Sequence, residues 1–341
     1  MAPELRIGVT GAGQLGTHLA AAARDAGAAV VAVHDIRREA ADTLAAAHAG
    51  AIATTDIDAF FAVAMDGLLV CTVPPVRVDP VTRACAKGIH LLIEKPPAYD
   101  LTAGRECLAA IEKADVMAAV GFQLRYDPRY ERLKALIEGH DVHLVRTVCT
   151  INYYLDFAMS PWFLQKAISG GPIAEQAIHL LDCVRFVLGN PRPTRAAAIG
   201  ARNMALDRDE FDAENALQVM YELDNGVFGV HTNHCGHETF HFDLELIGPH
   251  LRLHANITEA TIRGVVDGEP VEVTPPARSA LGLDKVGAWL KAIETGDRSY
   301  LRSEFAEALQ TLALVDAAIK SQSTGKIEEA ESIAAIAPMT P

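Results

Sequence analysis

The segment Gly11-Ala12-Gly13-Gln14-Leu15-Gly16 constrains the fold more than any other part of the chain. It follows an apolar run, Leu5 to Thr10, and opens an alanine-rich helical stretch, Leu15 to Ala26. Three glycines between a strand and a helix allow a tight turn, close approach of the backbone to a phosphate and close helix packing. The unpaired N–H groups of the helix start also favour an anion. The pattern predicts a dinucleotide-binding loop, with pyrophosphate contacts from Gly11, Gly13, Gln14, Leu15 and Gly16.

Short apolar runs alternate with helical stretches as far as Phe122, which is typical of β-α units that form a parallel sheet. The strand-like runs are Leu5 to Thr10, Ala29 to His34, Gly67 to Thr72, Ile89 to Ile93 and Val116 to Phe122. The helical stretches are Leu15 to Ala26, Arg37 to Ala47, Pro80 to Lys87 and Leu101 to Lys113. We therefore expect residues 1–122 to form a Rossmann domain with a doubly wound parallel sheet.

Beyond Phe122 the strand-like runs mostly follow one another without crossover helices. These runs are 142–154, 194–204, 214–223, 226–235, 239–248 and 250–256, and the helical stretches are 128–138, 172–188, 285–296 and 302–321. Turn residues such as Asp224-Asn225-Gly226 suit hairpins. We expect residues 123–341 to form an α+β domain with a large, open, mostly antiparallel sheet, whose C-terminal helices can pack back on the first domain.

Charge and composition exclude several classes of partner. Lys and Arg number 30 against 44 Asp and Glu, a formal net charge of -14, which repels nucleic acid and anionic membranes. We find neither an apolar run long enough to span a membrane nor a basic-apolar leader. The six cysteines are scattered, without a C-x-x-C pair, so we expect free thiols, a cytoplasmic protein and no structural zinc.

One histidine-rich segment raises the question of a metal. It contains His231, His234, Cys235, His237 and His241. In a strand pair, side-chain alternation puts His234 on the face opposite the other four, and Gly236 indicates a bend. We therefore predict no metal and expect this segment to line a substrate cavity or a subunit interface.

Asp35 ends the second strand, 19 residues after Gly16, where a carboxylate binds a ribose diol. A 2'-phosphate beside this carboxylate would be repelled, so NAD is favoured over NADP. Arg37 and Arg38 follow directly and are able to bind such a phosphate, which leaves NADP as the less favoured alternative.

Lys95 follows the fourth of these strands in the segment Glu94-Lys95-Pro96. Ligands of open parallel sheets bind at the carboxyl ends of the strands, so Lys95 is a candidate electrophile beside the nicotinamide. The alternative is an ordinary surface lysine.

Glu175, His179 and Asp182 lie at positions i, i+4 and i+7 of the helical stretch that begins at Pro172, and so share one face. Three ionisable groups on an otherwise apolar face need partners. Histidine titrates near neutral pH, so His179 is either an acid/base group or a hydrogen-bonded structural residue.

These motifs together resemble the glucose-fructose oxidoreductase / inositol dehydrogenase (Gfo/Idh/MocA) family. The resemblance covers nearly the whole chain. It rests on the glycine loop, the run from Gly88 to Pro96, Gly121-Phe122-Gln123-Leu124-Arg125-Tyr126-Asp127-Pro128, and Gly170-Gly171 through His179 and Asp182. It implies a Rossmann domain, an open C-terminal sheet used for substrate and subunit contacts, and a commonly cis Lys-Pro peptide. It also implies redox chemistry on sugars, cyclitols or polyols with a nicotinamide cofactor.

Residue by residue, the resemblance implies that Lys95 and His179 are catalytic and that Glu175 stands where the family usually has Asp. Arg77 replaces an expected His, and Gln123-Leu124-Arg125 departs from the family's usual sequence. Predicted cofactor contacts outside the glycine loop are Asp35, Arg37, Thr72, Pro74, Glu94, Lys95 and Gln123. Predicted substrate contacts are Lys95, Arg125, Tyr153, Trp162, His179 and Asp182.

We hypothesise an NAD(P)-dependent dehydrogenase or reductase acting on CH–OH groups, assembled as a homodimer or homotetramer. His179 removes the hydroxyl proton as hydride leaves, while Lys95 stabilises the developing alkoxide. Two alternatives remain open: a non-catalytic ligand-sensing protein of the same fold, and an enzyme of redox-assisted glycoside elimination.

Overall fold

The computed structural model describes residues 4–152, 154, 160–204, 211–259, 261–276 and 283–333. Tyr153, a predicted substrate contact, lies outside the described residues. The chain divides into two compact units, Met1–Tyr126 with Ser279–Phe305 and Asp127–Arg278 with Ala306–Pro341. A late segment of the chain is therefore part of the first unit.

The first unit contains a six-stranded sheet in the order β3-β2-β1-β4-β5-β6, with every neighbouring pair parallel. Its strands are β1 Arg6–Thr10, β2 Ala29–His34, β3 Ile52–Thr54, β4 Gly67–Val70, β5 His90–Ile93 and β6 Ala118–Val120. Its helices are α1 Gln14–Asp25, α2 Arg38–Ala46, α3 Ile57–Ala62, α4 Val78–Ala86, α5 Leu101–Ala114 and α9 Asp284–Thr295. The predicted doubly wound sheet is confirmed, and β3 and α3 are additions to it.

Local sequence explains these elements. The strands are short and apolar, and β4 is buried along its whole length, as a central parallel strand requires. Helix α5 begins at an N-cap, Asp100, whose carboxylate accepts a hydrogen bond from Ala103 N at 2.8 Å. It ends at Asp115, which takes the left-handed conformation with φ +49°.

The late segment completes the first unit. Trp289 of α9 is fully buried and packs so closely on Gly67 that a Cβ at position 67 would lie 2.6 Å from its ring. Val120 N donates to Ser303 O at 2.9 Å, so the chain after α9 pairs with the edge strand β6. These contacts place α9 against the sheet that carries the glycine loop.

The second unit contains a nine-stranded sheet in the order β14-β13-β12-β11-β7-β10-β9-β8-β15. Its strands are β7 Leu144–Thr150, β8 Pro193–Ala201, β9 Ala216–Leu223, β10 Phe228–His234, β11 His241–Gly248, β12 Leu251–Asn256, β13 Ile262–Val266, β14 Glu269–Val273 and β15 Glu328–Glu329. Its helices are α6 Pro128–Leu136, α7 Lys166–Ser169, α8 Ile178–Val187 and α10 Phe305–Thr324. Only β7 and β10 pair in parallel, so the mostly antiparallel sheet is confirmed.

Helix α8 covers the inner face of this sheet, and all ten of its residues are buried. Side chains along the strands alternate between this inner face and an open outer face. Among the helices that the structure describes, none is long and apolar enough to cross a membrane.

Candidate active site

The glycine loop lies at the ends of the neighbouring strands β1 and β4, where the strand order of the sheet reverses direction. This switch point is the usual position of a ligand crevice. Gly11 has φ +89°, and a Cβ there would lie 2.6 Å from the backbone carbon of Cys71. A Cβ on Gly16 would collide with the carbonyl oxygen of Gly11. Packing between the two strand ends therefore requires glycine at both positions.

Packing does not explain the glycine at position 13. Its φ is negative, and a Cβ there would meet nothing within 4 Å in the described part of the chain. Gly13 is the N-cap residue of α1, and the first hydrogen bond of the helix runs from Thr17 N to Gly13 O at 2.9 Å. The helix start therefore faces open space, and the loop fits a pyrophosphate group held by backbone N–H groups.

Gly13→Ala is expected to raise the dissociation constant of NADH by about 10- to 100-fold, because the added methyl fills the space that the pyrophosphate needs. The melting temperature is expected to stay near the wild-type value, since no described atom opposes the methyl. NADH fluorescence titration and thermal unfolding measure the two effects.

Gly287→Ala is the matched control, because a Cβ there also meets nothing within 4 Å and it lies on α9 of the same unit. It is expected to leave NADH binding unchanged. Equal NADH affinities in both variants would contradict the assignment of the loop.

Asp35 lies at the end of β2, beside the glycine loop, with 8% of its side chain exposed. Its carboxylate accepts hydrogen bonds from Ala12 N at 2.8 Å and Arg37 N at 2.9 Å, and pairs with the Arg37 guanidinium at 3.2 Å. Burial raises the pKa of Asp35, but the hydrogen bonds from Arg37 and Ala12 outweigh it and the net pKa is lowered. Asp35 is therefore an ionised acceptor at the position predicted for a ribose diol.

Exposed apolar side chains surround this edge of the sheet. Ile36, directly after Asp35, is 87% exposed, and Leu15 and Val76 are also exposed. They follow β2, β1 and β4 in turn. Together they offer an apolar rim that suits the ring of a nucleotide.

Lys95 follows β5 at the same edge, is half-buried, and its peptide bond to Pro96 is cis, as the resemblance implies. Arg77 is buried nearby and donates hydrogen bonds to the carbonyl oxygens of Thr72, Glu94 and Pro96. This arginine, in place of the family's usual histidine, joins the loop after β4 to the segment that carries Lys95. It brings together the predicted cofactor contacts Thr72, Glu94 and Lys95.

The Glu94 carboxylate is itself buried and pairs with Lys285 of α9. Burial raises the pKa of Glu94, but the charge and hydrogen bond of Lys285 lower it below its usual range. Lys285 was not among the residues predicted from the sequence to belong to the site. Of the other predicted cofactor contacts, Gln14 is exposed, Pro74 is buried in a 3₁₀ turn, and Gln123 is half-buried at the start of another.

Glu175 and His179 lie in the second unit, at the start of the helix that covers the sheet. The helical stretch predicted from Pro172 is present, but Ile173–Ala177 form a π-helix and α8 begins at Ile178. The i→i+5 bonds of a π-helix change the angular spacing of side chains, and such segments are frequent at functional sites.

Glu175 and His179 are both buried. The His179 ring lies 6.3 Å from that of Phe242, centroid to centroid. Burial raises the pKa of the Cys235 thiol to about 12, with a further contribution from the charge of Glu175. Burial also raises the pKa of Tyr154. Cys235 and Tyr154 therefore stay protonated near neutral pH, and Glu175 and His179 remain the acid/base candidates that the sequence predicted.

The remaining predicted substrate contacts are placed differently from one another. Asp182 is completely buried and its Oδ1 accepts a hydrogen bond from Thr311 at 2.9 Å. Arg125 is also completely buried and donates to Arg302 O at 2.9 Å. Trp162 is half-buried and stacks on Phe163 with ring centroids 4.0 Å apart. Of these three, only Trp162 keeps an accessible surface.

The histidine-rich segment does not converge on one point. His231 is buried on the inner face, hydrogen-bonded to Thr147 at 2.8 Å, and burial lowers its pKa to about 4. His237 is exposed. His241 pairs with Asp243 on the outer face, so the prediction that His241 shares a face with His231 is wrong, because the turn between β10 and β11 interrupts the alternation. Within the described residues, no group of three or more His, Cys, Asp or Glu is placed to hold a metal ion.

Comparison with known proteins identifies the family. A model of the oxidoreductase family with an NAD-binding Rossmann fold matches residues 5–122, and the GFO/IDH/MocA C-terminal domain matches residues 130–274. The chain belongs to the GFO/IDH/MocA family. It is therefore an oxidoreductase with an NAD-binding domain, as the sequence motifs predicted.

Individual relatives of the GFO/IDH/MocA family are distant. An inositol 2-dehydrogenase of Rhizobium meliloti is 26% identical over 330 residues, covering 93% of this chain and 96% of the relative. D-xylose 1-dehydrogenase (NADP(+)) 2 of Haloferax volcanii is 24% identical, covering 74% of this chain and 77% of the relative. The solved structure of a levoglucosan dehydrogenase with NADH and levoglucosan aligns with TM-score 0.85 and 17% identity, covering 97% and 100% of the two chains. That last likeness shows the fold alone.

Proposed function

We propose that this oxidoreductase transfers a hydride between NAD and the carbinol or carbonyl carbon of a sugar, cyclitol or related polyol. The observation that carries the proposal is the position of Lys95, held at the end of β5 on the same sheet edge as the glycine loop and Asp35. The names of the inositol and xylose dehydrogenases support the substrate class.

The proposed roles follow from the chemistry of each side chain. NAD, when bound, supplies the hydride acceptor. His179 takes the proton of the reacting hydroxyl, and Glu175 orients the imidazole from the preceding π-helix. The Lys95 ammonium stabilises the negative charge that develops on the substrate oxygen. Trp162 contributes an apolar face for a sugar ring.

The test is a screen of polyols with NAD, monitored by NADH absorbance. The panel contains myo-inositol, scyllo-inositol, D-xylose, D-glucose and levoglucosan. NADH formation with at least one compound supports the proposal. A polyol that binds the protein–NAD complex without any NADH formation would favour a ligand-sensing protein. Breakdown of a glycoside without net NADH formation would favour redox-assisted elimination.

Asp35→Ser is expected to raise the KM for NAD by about 10-fold and to lower the preference for NAD over NADP, because it removes the ribose acceptor and frees Arg37 for a 2'-phosphate. Steady-state kinetics with the two cofactors measure the change. Asp42→Ser, which frees Arg38 on the exposed side of α2, is the control and should leave both KM values unchanged. A wild-type protein that prefers NADP would overturn the assignment of Asp35.

We also propose that copies of the chain associate through the outer face of the nine-stranded sheet. Ile199 of β8 is 80% exposed there, and Met220, Phe228 and Leu144 are exposed on the neighbouring strands β9, β10 and β7. Phe228 pairs in register with Leu144, and Met220 and Ile199 are each two residues out of register with the next member on the adjacent strand. These side chains therefore run diagonally across four neighbouring strands as exposed apolar positions. Sedimentation velocity should show a dimer or tetramer that dissociates in the double variant Ile199→Asp/Met220→Asp. A monomeric wild-type protein would contradict the proposal.

A reducing cytoplasmic compartment is the location we propose. All six cysteines are free thiols, and five of them are buried. Isolated buried thiols of this kind behave as small apolar side chains and suit a reducing environment.

A further inference from the structure

A buried ion pair lies directly beneath the segment that carries Lys95. Lys285 Nζ is 2.5 Å from Glu94 Oε1, and both side chains are almost fully buried. Lys285 Nζ also donates to Gly121 O at 3.3 Å. The pair joins α9 to the end of β5 across 191 positions of sequence.

The structure makes room for this pair. A Cβ on Gly121 would lie 2.7 Å from Glu94 Oε1 and 3.0 Å from Lys285 Nζ. Burying two charges has a desolvation cost that their attraction often only offsets, so a buried ion pair is a weak source of stability. Its role is therefore better sought in the geometry and charge that it sets at this place.

The Glu94 carboxylate connects the pair to Lys95. Its second oxygen, Oε2, accepts a hydrogen bond from Lys95 N at 3.3 Å. On the carbonyl side, the Arg77 guanidinium binds the oxygens of Glu94, Lys95 and Pro96. Residues 94–96 are thus held by two buried cations. Arg77 binds their backbone carbonyls, and Lys285 binds the Glu94 side chain.

We propose that Lys285 is a positioning residue for Lys95, acting through Glu94. The turnover part of its test rests on the proposed function. With Lys285 in place, the Glu94 carboxylate is held against Gly121 and its charge is compensated. Without it, Lys95 and Arg77 are the cations that remain close to that carboxylate. The Arg77 guanidinium is already bound to backbone carbonyls, so Lys95 is the one that can move, and its ammonium is drawn from the place where the substrate oxygen would lie.

The test compares four proteins in turnover: wild type, Lys285→Met, Glu94→Gln and the double variant. Lys285→Met is expected to lower kcat by about 10- to 100-fold with little change in KM, because a small displacement of a reacting group has effects of this size. In the Glu94→Gln background the same substitution is expected to change kcat by less than about 2-fold, since the residue through which it acts is already neutral. An equal loss in both backgrounds would overturn the proposal.

A second readout does not require a substrate. Lysines carrying isotope-labelled methyl groups are titrated by NMR, and the Lys95 signal is assigned by its absence in Lys95→Arg. Lys285→Met is expected to raise the Lys95 titration midpoint by about 0.5 or more on the pH scale, because Lys285 then no longer compensates the negative charge of Glu94. The midpoint should return toward the wild-type value in the double variant. An unchanged midpoint in Lys285→Met would overturn the proposal even if the protein turned over no polyol.

Lys291→Met is the matched control. Lys291 lies on the same helix, α9, and pairs with Glu294 at 2.8 Å, but both side chains are exposed. It should change neither kcat nor the Lys95 midpoint. If Lys285→Met fails to fold, Lys285→Gln replaces it, because glutamine keeps a hydrogen-bond donor without the charge. The same results are then expected from Lys285→Gln and from the double variant Glu94→Gln/Lys285→Gln.

Discussion

Lys95→Ala is expected to lower kcat by roughly 10²- to 10³-fold on any polyol that the wild-type protein oxidises. The reason is electrostatic: a preorganised cation stabilises the alkoxide charge as it develops, and alanine leaves water or nothing in its place. The segment that carries Lys95 is held by hydrogen bonds from Arg77 to the carbonyls of Glu94 and Pro96, so the ammonium cannot be replaced by a shift of the loop. Steady-state kinetics with NAD and the oxidised polyol measure the loss.

Lys113→Ala provides the control for charge alone, because Lys113 is an exposed lysine near the end of α5 in the same unit. It should retain wild-type kcat. The melting temperature of Lys95→Ala should also remain near the wild-type value, since the side chain is only half-buried. A folded Lys95→Ala protein with wild-type turnover would rule out the role given to this lysine.

His179→Asn is expected to lower kcat by roughly 10²- to 10⁴-fold, the range associated with loss of a general base. Asparagine keeps a hydrogen-bonding side chain of similar reach but cannot take the substrate proton. The loss should therefore appear in kcat while the dissociation constant of NADH is unchanged. A pH profile of kcat/KM should also lose its acidic limb in the variant.

His140→Asn is the corresponding control, because His140 pairs with exposed Asp267 on the surface of the second unit. Its kinetics and pH profile should match those of the wild type. If His179→Asn retains the acidic limb and near wild-type kcat, proton transfer belongs to another group.

Sequence patterns predicted the first unit well because its signals are local. A glycine loop between an apolar strand and a helix, and an acidic residue ending the next strand, each report the conformation of a few adjacent residues. The short strand β3, with only three residues, carries too little pattern to be recognised.

Other features were missed for different reasons. Asp267 and Gly268, both with positive φ, form the turn of the β13–β14 hairpin, and this Asp-Gly signal was available in the sequence. The π-helix at Ile173–Ala177 was not predictable from spacing, since the apolar pattern around it suits an α-helix. Lys285 looks like any helical lysine until the fold brings Glu94 to it.

The position of Asp182 illustrates the limit of helical spacing. The i, i+4, i+7 pattern groups it with Glu175 and His179, but its carboxylate is engaged by Thr311 of α10. The partner comes from a helix far along the chain, so helical spacing alone cannot distinguish a buried structural carboxylate from a substrate contact.

Direct hydride transfer from a carbinol carbon to NAD is testable by isotope transfer. The protein is incubated with NAD and myo-inositol deuterated on every carbon, or the corresponding form of whichever polyol the screen identifies. The reduced cofactor is then analysed by mass spectrometry. We expect one deuterium in each NADH formed. NADH without deuterium, or deuterium released only to water, would contradict it.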